Sequence, residues 1–77
     1  MNYNVYFCHM KIEEAIVYCL ATSNRGMRSE QIADMINHQS LHVRKDGQPV
    51  SAKQVFYVVA HALHTFVLAE GRIMLMM

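Results

Sequence analysis

The segment DGQPVSAKQVF, residues 46 to 56, restricts the folds open to this chain more than any other stretch. Its Asp-Gly pair is a strong turn signal, and the proline disfavours helix at the residue before it. Ser51 is a good helix N-cap, and Gln54 three residues later completes the capping-box pattern. Val50 and Val55 have the spacing of a hydrophobic staple around that cap. The segment therefore predicts a turn followed by a helix that starts at Ser51.

This helix is predicted to extend to about His64, because apolar residues continue at helical spacing beyond the cap. Its predicted inward stripe comprises Val55, Val59, Ala62, Leu63 and Phe66.

Two earlier segments also have the apolar periodicity of helices. The first runs from about Lys11 to Thr22, with carboxylates in its first turn, and Asn24 and Gly26 are suited to end it in left-handed conformations. Its stripe comprises Ile12, Ala15, Ile16, Cys19 and Leu20. The second runs to about residues 38–40 and buries Ile32, Met35 and Ile36. Either Ser29 caps this helix, or Arg28 does so with Gln31 three residues on.

Strand patterns occupy the two ends of the chain. Residues 65–77 form two short apolar runs around Glu70-Gly71, which predicts a β-hairpin. Near the N-terminus, Tyr3, Val5 and Phe7 alternate with other side chains, which indicates a further short strand.

The predicted order is strand, helix, helix, loop, helix and hairpin within a single domain of residues 1–77. Three helices followed by a two-stranded hairpin make the α+β architecture of a winged helix-turn-helix domain. The hairpin is the wing, and the third helix is the one usually presented to DNA.

Residues 11–75 resemble the HARE-type winged helix-turn-helix domains. The matching pieces are Glu14-Ala15-Ile16, Ile32-Ala33, Asp46 to Gln54, and Phe66 with Gly71, Ile73 and Leu75. Such domains occur attached to restriction endonucleases, to chromatin regulators and to the delta subunit of bacterial RNA polymerase. The resemblance implies a DNA-associated module, in some cases a protein-binding one.

Cations near the predicted third helix and wing favour contact with double-stranded DNA, because a helix N-terminus flanked by cations attracts phosphate. The candidate DNA contacts are Arg28, Arg44, Lys45, Lys53, Gln54, Tyr57 and Arg72. The alternative is a solvated face, since acidic residues are interspersed and the net charge is only +1.

The apolar share of 53% exceeds what one small core needs. A homodimer or a protein partner would cover the surplus, and the alternative is that the N-terminal strand folds back over it. The candidate interface comprises Tyr3, Val5, Phe7, Val17, Phe56, Val58, Met74 and Met76. An interface that included the third helix would make the chain a protein-interaction module instead of a DNA reader.

Other function classes find little support in the sequence. Five histidines and two cysteines lack the spacing of a zinc site, so no metal or cofactor is expected. No phosphate loop, paired carboxylates or nucleophile motif indicates an enzyme. No apolar run approaches the ~18 residues that span a bilayer, and the N-terminus is a poor signal peptide. We therefore expect a cytoplasmic protein without membrane contact.

Overall fold

A computed structural model describes residues 10–76 of the chain. Within them, three helices precede a two-stranded antiparallel hairpin, which confirms the α+β, winged-helix layout. The elements are α1 (Ile12–Ser23), α2 (Ser29–Gln39), α3 (Ala52–Ala60), β1 (Phe66–Ala69) and β2 (Arg72–Leu75). The strand predicted around Tyr3, Val5 and Phe7 lies outside the described residues.

Helix α1 begins and ends with the local signals that the sequence predicts. Glu13 and Glu14 lie in its first turn, and Glu14 accepts a hydrogen bond from the Lys11 backbone N–H at 3.3 Å. Asn24 ends the helix in a left-handed conformation with φ 59°. Gly26 does not adopt positive φ, so that part of the prediction is wrong.

Helix α2 starts after Arg28, which decides between the two predicted caps. The Gln31 side chain accepts a hydrogen bond from the Arg28 backbone N–H at 3.0 Å, and Ser29 is the first helical residue. The helix ends at Ser40, whose φ of 53° is left-handed.

The hairpin pairs Phe66 with Leu75 and Ala69 with Arg72, and Glu70 and Gly71 both have positive φ at its tip, as type I′ turns require. A third segment joins this sheet. Met27 and Ile73 exchange backbone hydrogen bonds of 3.0 and 2.7 Å, which ties the loop before α2 to β2.

Gly26 lies close to the side chains of β2 beside this bridge, so a larger residue there would force the Met74 side chain to move. A Cβ on Gly26 would lie 2.8 Å from Cγ of Met74.

Helix α3 is shorter than predicted and ends at Ala60, not near His64. The backbone changes from helical to tighter bonding there: the Ala62 N–H donates to Val59, and the Thr65 N–H donates to Ala62. This turn directs Phe66 into the core as the first residue of β1. It also leaves Leu63 54% exposed, so its predicted place in the inward stripe is wrong.

The core lies between the three helices and the inner face of the hairpin. Its fully buried side chains include Ile16, Cys19, Ile32, Ile36, Val55, Val59, Phe66 and Ile73. These positions confirm the predicted stripes of α1 and α2, with Ile12 and Met35 partly buried against the core. Among the residues described, none of the buried side chains is polar or charged, so burial of apolar surface stabilises the fold.

Candidate nucleic-acid interface

The loop between α2 and α3 is ordered by hydrogen bonds among its own residues. A turn closes where the Gly47 N–H donates to the Arg44 carbonyl at 3.1 Å, with Gly47 at φ 77°. Immediately afterwards, the Asp46 side chain accepts a hydrogen bond from the Gln48 N–H at 3.0 Å. The predicted Asp-Gly turn is therefore confirmed, and it delivers the chain to Pro49.

A second contact fixes the end of this loop against α2. The Asn37 side chain donates to the Val50 carbonyl and accepts from the Val50 N–H, both at 2.9 Å. One amide side chain thus satisfies both backbone groups of Val50, as a neighbouring strand would do. The contact determines where α3 begins relative to α2.

Ser51 caps α3 as predicted, because its hydroxyl accepts a hydrogen bond from the Gln54 N–H at 3.1 Å. Val50 and Val55, the predicted staple pair, are both buried. The second half of the predicted capping box is wrong. The Gln54 side chain instead accepts a hydrogen bond from Nη1 of Arg44 at 3.3 Å, and is thereby turned toward the loop.

Arg44 connects the loop to the first turn of α3. Its Nη2 lies 2.7 Å from Oδ2 of Asp46, while its Nη1 faces Gln54. The pKa of Asp46 is lowered, first by the hydrogen bond from the Gln48 N–H and further by the Arg44 guanidinium. At neutral pH the Asp46 charge therefore offsets that of Arg44.

Six of the seven predicted DNA contacts fall into two groups, and Tyr57 lies further along α3. Arg44, Lys45 and Gln54 line one shallow depression at the start of α3, and Lys53 is exposed in the first turn of that helix. Arg28 and Arg72 are both exposed, and each is adjacent in sequence to a partner of the Met27–Ile73 bridge. In the described part of the chain, no hydrogen bond or ion pair joins the two groups.

The exposed face of α3 is aromatic beyond its first turn. Phe56 is 51% exposed and Tyr57 is 63% exposed, and the Tyr57 ring lies 4.3 Å from that of His61. His61 also contacts the Tyr57 carbonyl through Nδ1 at 2.9 Å. The rings on this face could stack against, or make apolar contact with, a bound molecule. Lys53 adds a positive charge in the first turn of the helix.

The other predicted interface residues differ in exposure. Met74 and Met76 are exposed, whereas Val17 and Val58 are partly buried against the core of the same chain. The remaining three predicted residues, Tyr3, Val5 and Phe7, lie outside the described range. The interface prediction did not include Val43 and Leu63, which are both more than half exposed. Leu63 continues the apolar spacing of α3, so only the end of the helix at Ala60 reveals its exposure.

Cys19 is buried, and burial raises its pKa to about 11, so the thiol is protonated at neutral pH. Residues 10–76 contain no group of three or more His, Cys, Asp or Glu side chains placed to hold a metal ion. Likewise, none of the helices in that range has the length and apolar character to cross a membrane.

The arrangement defined by these elements is a winged-helix layout, with α2, the ordered loop and α3 as the helix-turn-helix unit and β1–β2 as the wing. No protein-family model, curated protein or solved structure matches the chain. The resemblance to HARE-type domains therefore stays a prediction from the sequence.

Proposed function

We propose that this chain is a small, non-enzymatic winged-helix protein that associates with double-stranded DNA through the start of α3. The resemblance to HARE-type domains favours an accessory role in transcription or chromatin, and the location that we propose is the cytoplasm. No cofactor or metal is needed for such a role.

The observation that carries the proposal is the ordered and accessible first turn of α3. The first four backbone N–H groups of a helix have no partner within it and attract anions, and the Ser51 cap uses one of them, that of Gln54. Lys45 and Lys53 are exposed beside this turn. These N–H groups and the two lysines together suit a DNA phosphate, and contacts to phosphates position a helix on a duplex.

The other predicted contacts have supporting roles in this proposal. Tyr57, one turn further along α3, would meet base edges or sugars. Arg72 at the start of β2 and Arg28 before α2 would contact the DNA backbone from the wing side. With a net charge of only +1, we expect weak binding that depends strongly on salt.

Fluorescence anisotropy with a labelled duplex tests the proposal. Measurements between about 0.05 and 0.2 M salt give the slope of log affinity against log salt, and each lost phosphate contact reduces its magnitude by about 0.9. We expect such a reduction for Lys53→Ala and Lys45→Ala. The control is Lys11→Ala, which removes the same charge from an exposed site before α1.

Equal effects of all three variants would show that only net charge matters, and would contradict binding through α3. Absence of binding by the wild-type chain at about 0.05 M salt would also overturn the proposal.

A second candidate function is favoured by the exposed aromatic face of α3. Phe56 and Tyr57 together present more apolar surface than isolated exposed residues usually do, and a homodimer or protein partner would cover them. Light scattering on the wild type and on Phe56→Ser distinguishes the candidates. A dimer that Phe56→Ser dissociates, and whose interface covers Lys53, would leave no helix for DNA. A monomer at all concentrations would contradict the homodimer.

A further inference from the structure

Arg44 and Lys45 are neighbours in the same loop, but their charges stand in different surroundings. The Arg44 guanidinium has Asp46 at 2.7 Å and Gln54 at 3.3 Å. In the described part of the chain, the Lys45 ammonium forms no hydrogen bond or ion pair, and Lys45 is exposed. Of the two adjacent cations, Arg44 is therefore paired at the surface, with its side chain 31% exposed, and Lys45 faces solvent.

The carboxylate that holds Arg44 is itself held. One oxygen of Asp46 accepts the Gln48 N–H at 3.0 Å, and the other faces Arg44. The hydrogen bond from the Gln48 N–H holds the Asp46 carboxylate in place, and the carboxylate in turn orients the Arg44 guanidinium. The guanidinium also donates to the Gln54 side chain, which lies in the first turn of α3.

We propose that Asp46 is a positioning residue that withholds Arg44 from DNA phosphates and so lowers the affinity of the chain for duplexes of any sequence. This inference rests on the proposed function. A phosphate that approached Arg44 would compete with Asp46 and Gln54 for its N–H groups and would meet the negative charge of Asp46.

Lys45 and Lys53 then supply the attraction that does not depend on sequence. Arg44 joins them only where the duplex offers an acceptor in the direction that Asp46 imposes.

The test is a set of variants measured by anisotropy over the same salt range. Asp46→Asn removes the charge but keeps the oxygen that accepts the Gln48 N–H, so the turn is retained. We expect tighter binding and a slope of log affinity against log salt that is steeper by about 0.9 than that of the wild type. Between 0.05 and 0.2 M salt, the variant would then lose about threefold more affinity than the wild type. Asp34→Asn, an exposed site on α2, is the charge-matched control.

The double variant Arg44→Ala/Asp46→Asn separates a released Arg44 from a change in net charge. We expect the slope gained through Asp46→Asn to disappear when Arg44 is absent. Arg44→Ala alone should change the slope much less than it does in the Asp46→Asn background.

The outcomes separate this inference from the function on which it rests. If the wild type binds but Asp46→Asn and Asp34→Asn steepen the slope equally, the inference is wrong and DNA association stands. The inference also fails if the steeper slope persists without Arg44. If neither the wild type nor Asp46→Asn binds, both proposals fail. Binding by Asp46→Asn where the wild type binds too weakly to measure would support both.

Discussion

Side-chain hydrogen bonds hold the start of α3 in addition to the buried Val50 and Val55, whereas the chain just beyond its end is held by backbone hydrogen bonds and burial. At the start, Asn37 satisfies both backbone groups of Val50, and Ser51 caps the first turn. Beyond Ala60 the chain follows a tight turn, and Ala62 and Phe66 are buried in the core.

The difference shows how the fold can present one end of a helix to a ligand. Hydrogen bonds from side chains fix the direction of α3 without covering its first turn. Burial fixes the position of the opposite end, but it requires contact with the rest of the protein. The polar end is therefore the one available for an anion.

The largest effect is expected from Phe66→Ala, because Phe66 is only 1% exposed. Loss of this side chain should lower the free energy of unfolding by about 3–5 kcal/mol, since it leaves a cavity in the core. The measurement is urea denaturation followed by circular dichroism. The matched control is Phe56→Ala, at a position 51% exposed, with an expected change within about 0.5 kcal/mol. Similar losses for both would contradict the packing beyond α3.

A smaller effect is expected from Asn37→Ala, which leaves the Val50 N–H and carbonyl without their partner. The expected loss is about 1–3 kcal/mol. Hydrogen exchange should also become faster at the Val50 amide than at amides inside α1. Gln39→Ala, at the exposed end of the same helix, is the control and should leave Val50 exchange unchanged. Unaltered Val50 protection in Asn37→Ala would show that the contact does not fix the loop.

Ser51→Ala should cost about 1 kcal/mol, because it removes the cap of α3. Ser29→Ala provides a serine control at the start of α2. Ser29 is the first helical residue there and Arg28 is the N-cap, so its replacement should change stability by less than about 0.5 kcal/mol. Thermal unfolding of Ser51→Ala and Ser29→Ala measures the loss of stability in each variant. A larger loss for Ser29→Ala would mean that Ser29, not Arg28, caps α2.

The smallest effect concerns the pH dependence of the loop. The pKa of Asp46 lies below its ordinary value of 3.8 in the folded chain. The charged form thus stabilises the fold above pH 3.8, and this contribution is lost as the pH falls through the lowered pKa. An NMR titration of the Asp46 carboxyl carbon should show that lowered midpoint. A midpoint at the ordinary value would contradict the contacts with Gln48 and Arg44.

The contrast between the ends of α3 also explains what the sequence could predict. The Asp-Gly turn, the Ser51 cap and the staple of Val50 and Val55 are short-range signals, and all are confirmed. The end of the helix lacks such a signal. Its apolar spacing continues past Ala60, so periodicity predicts helix to His64 although the backbone has already turned toward β1.

Contacts between distant residues were beyond prediction from local pattern. Asn37 and Val50 are 13 residues apart, and an asparagine near the end of a helix more often marks its cap. The bridge between Met27 and Ile73 joins two segments whose amino-acid sequences carry no signal for pairing. At the candidate site, the identity of the basic residues was predictable, but the pairing of Arg44 with Asp46 and Gln54 depends on the folded loop.

The most direct test of the account maps which end of α3 meets DNA, by titrating the ¹⁵N-labelled protein with a duplex at about 0.05 M salt. The account predicts that amide shifts concentrate at residues 44–54, with smaller ones around Arg72, and that they shrink steeply as salt rises. Shifts confined to Phe56, Tyr57 and Leu63, or none at high DNA concentration, would contradict DNA association through the start of α3.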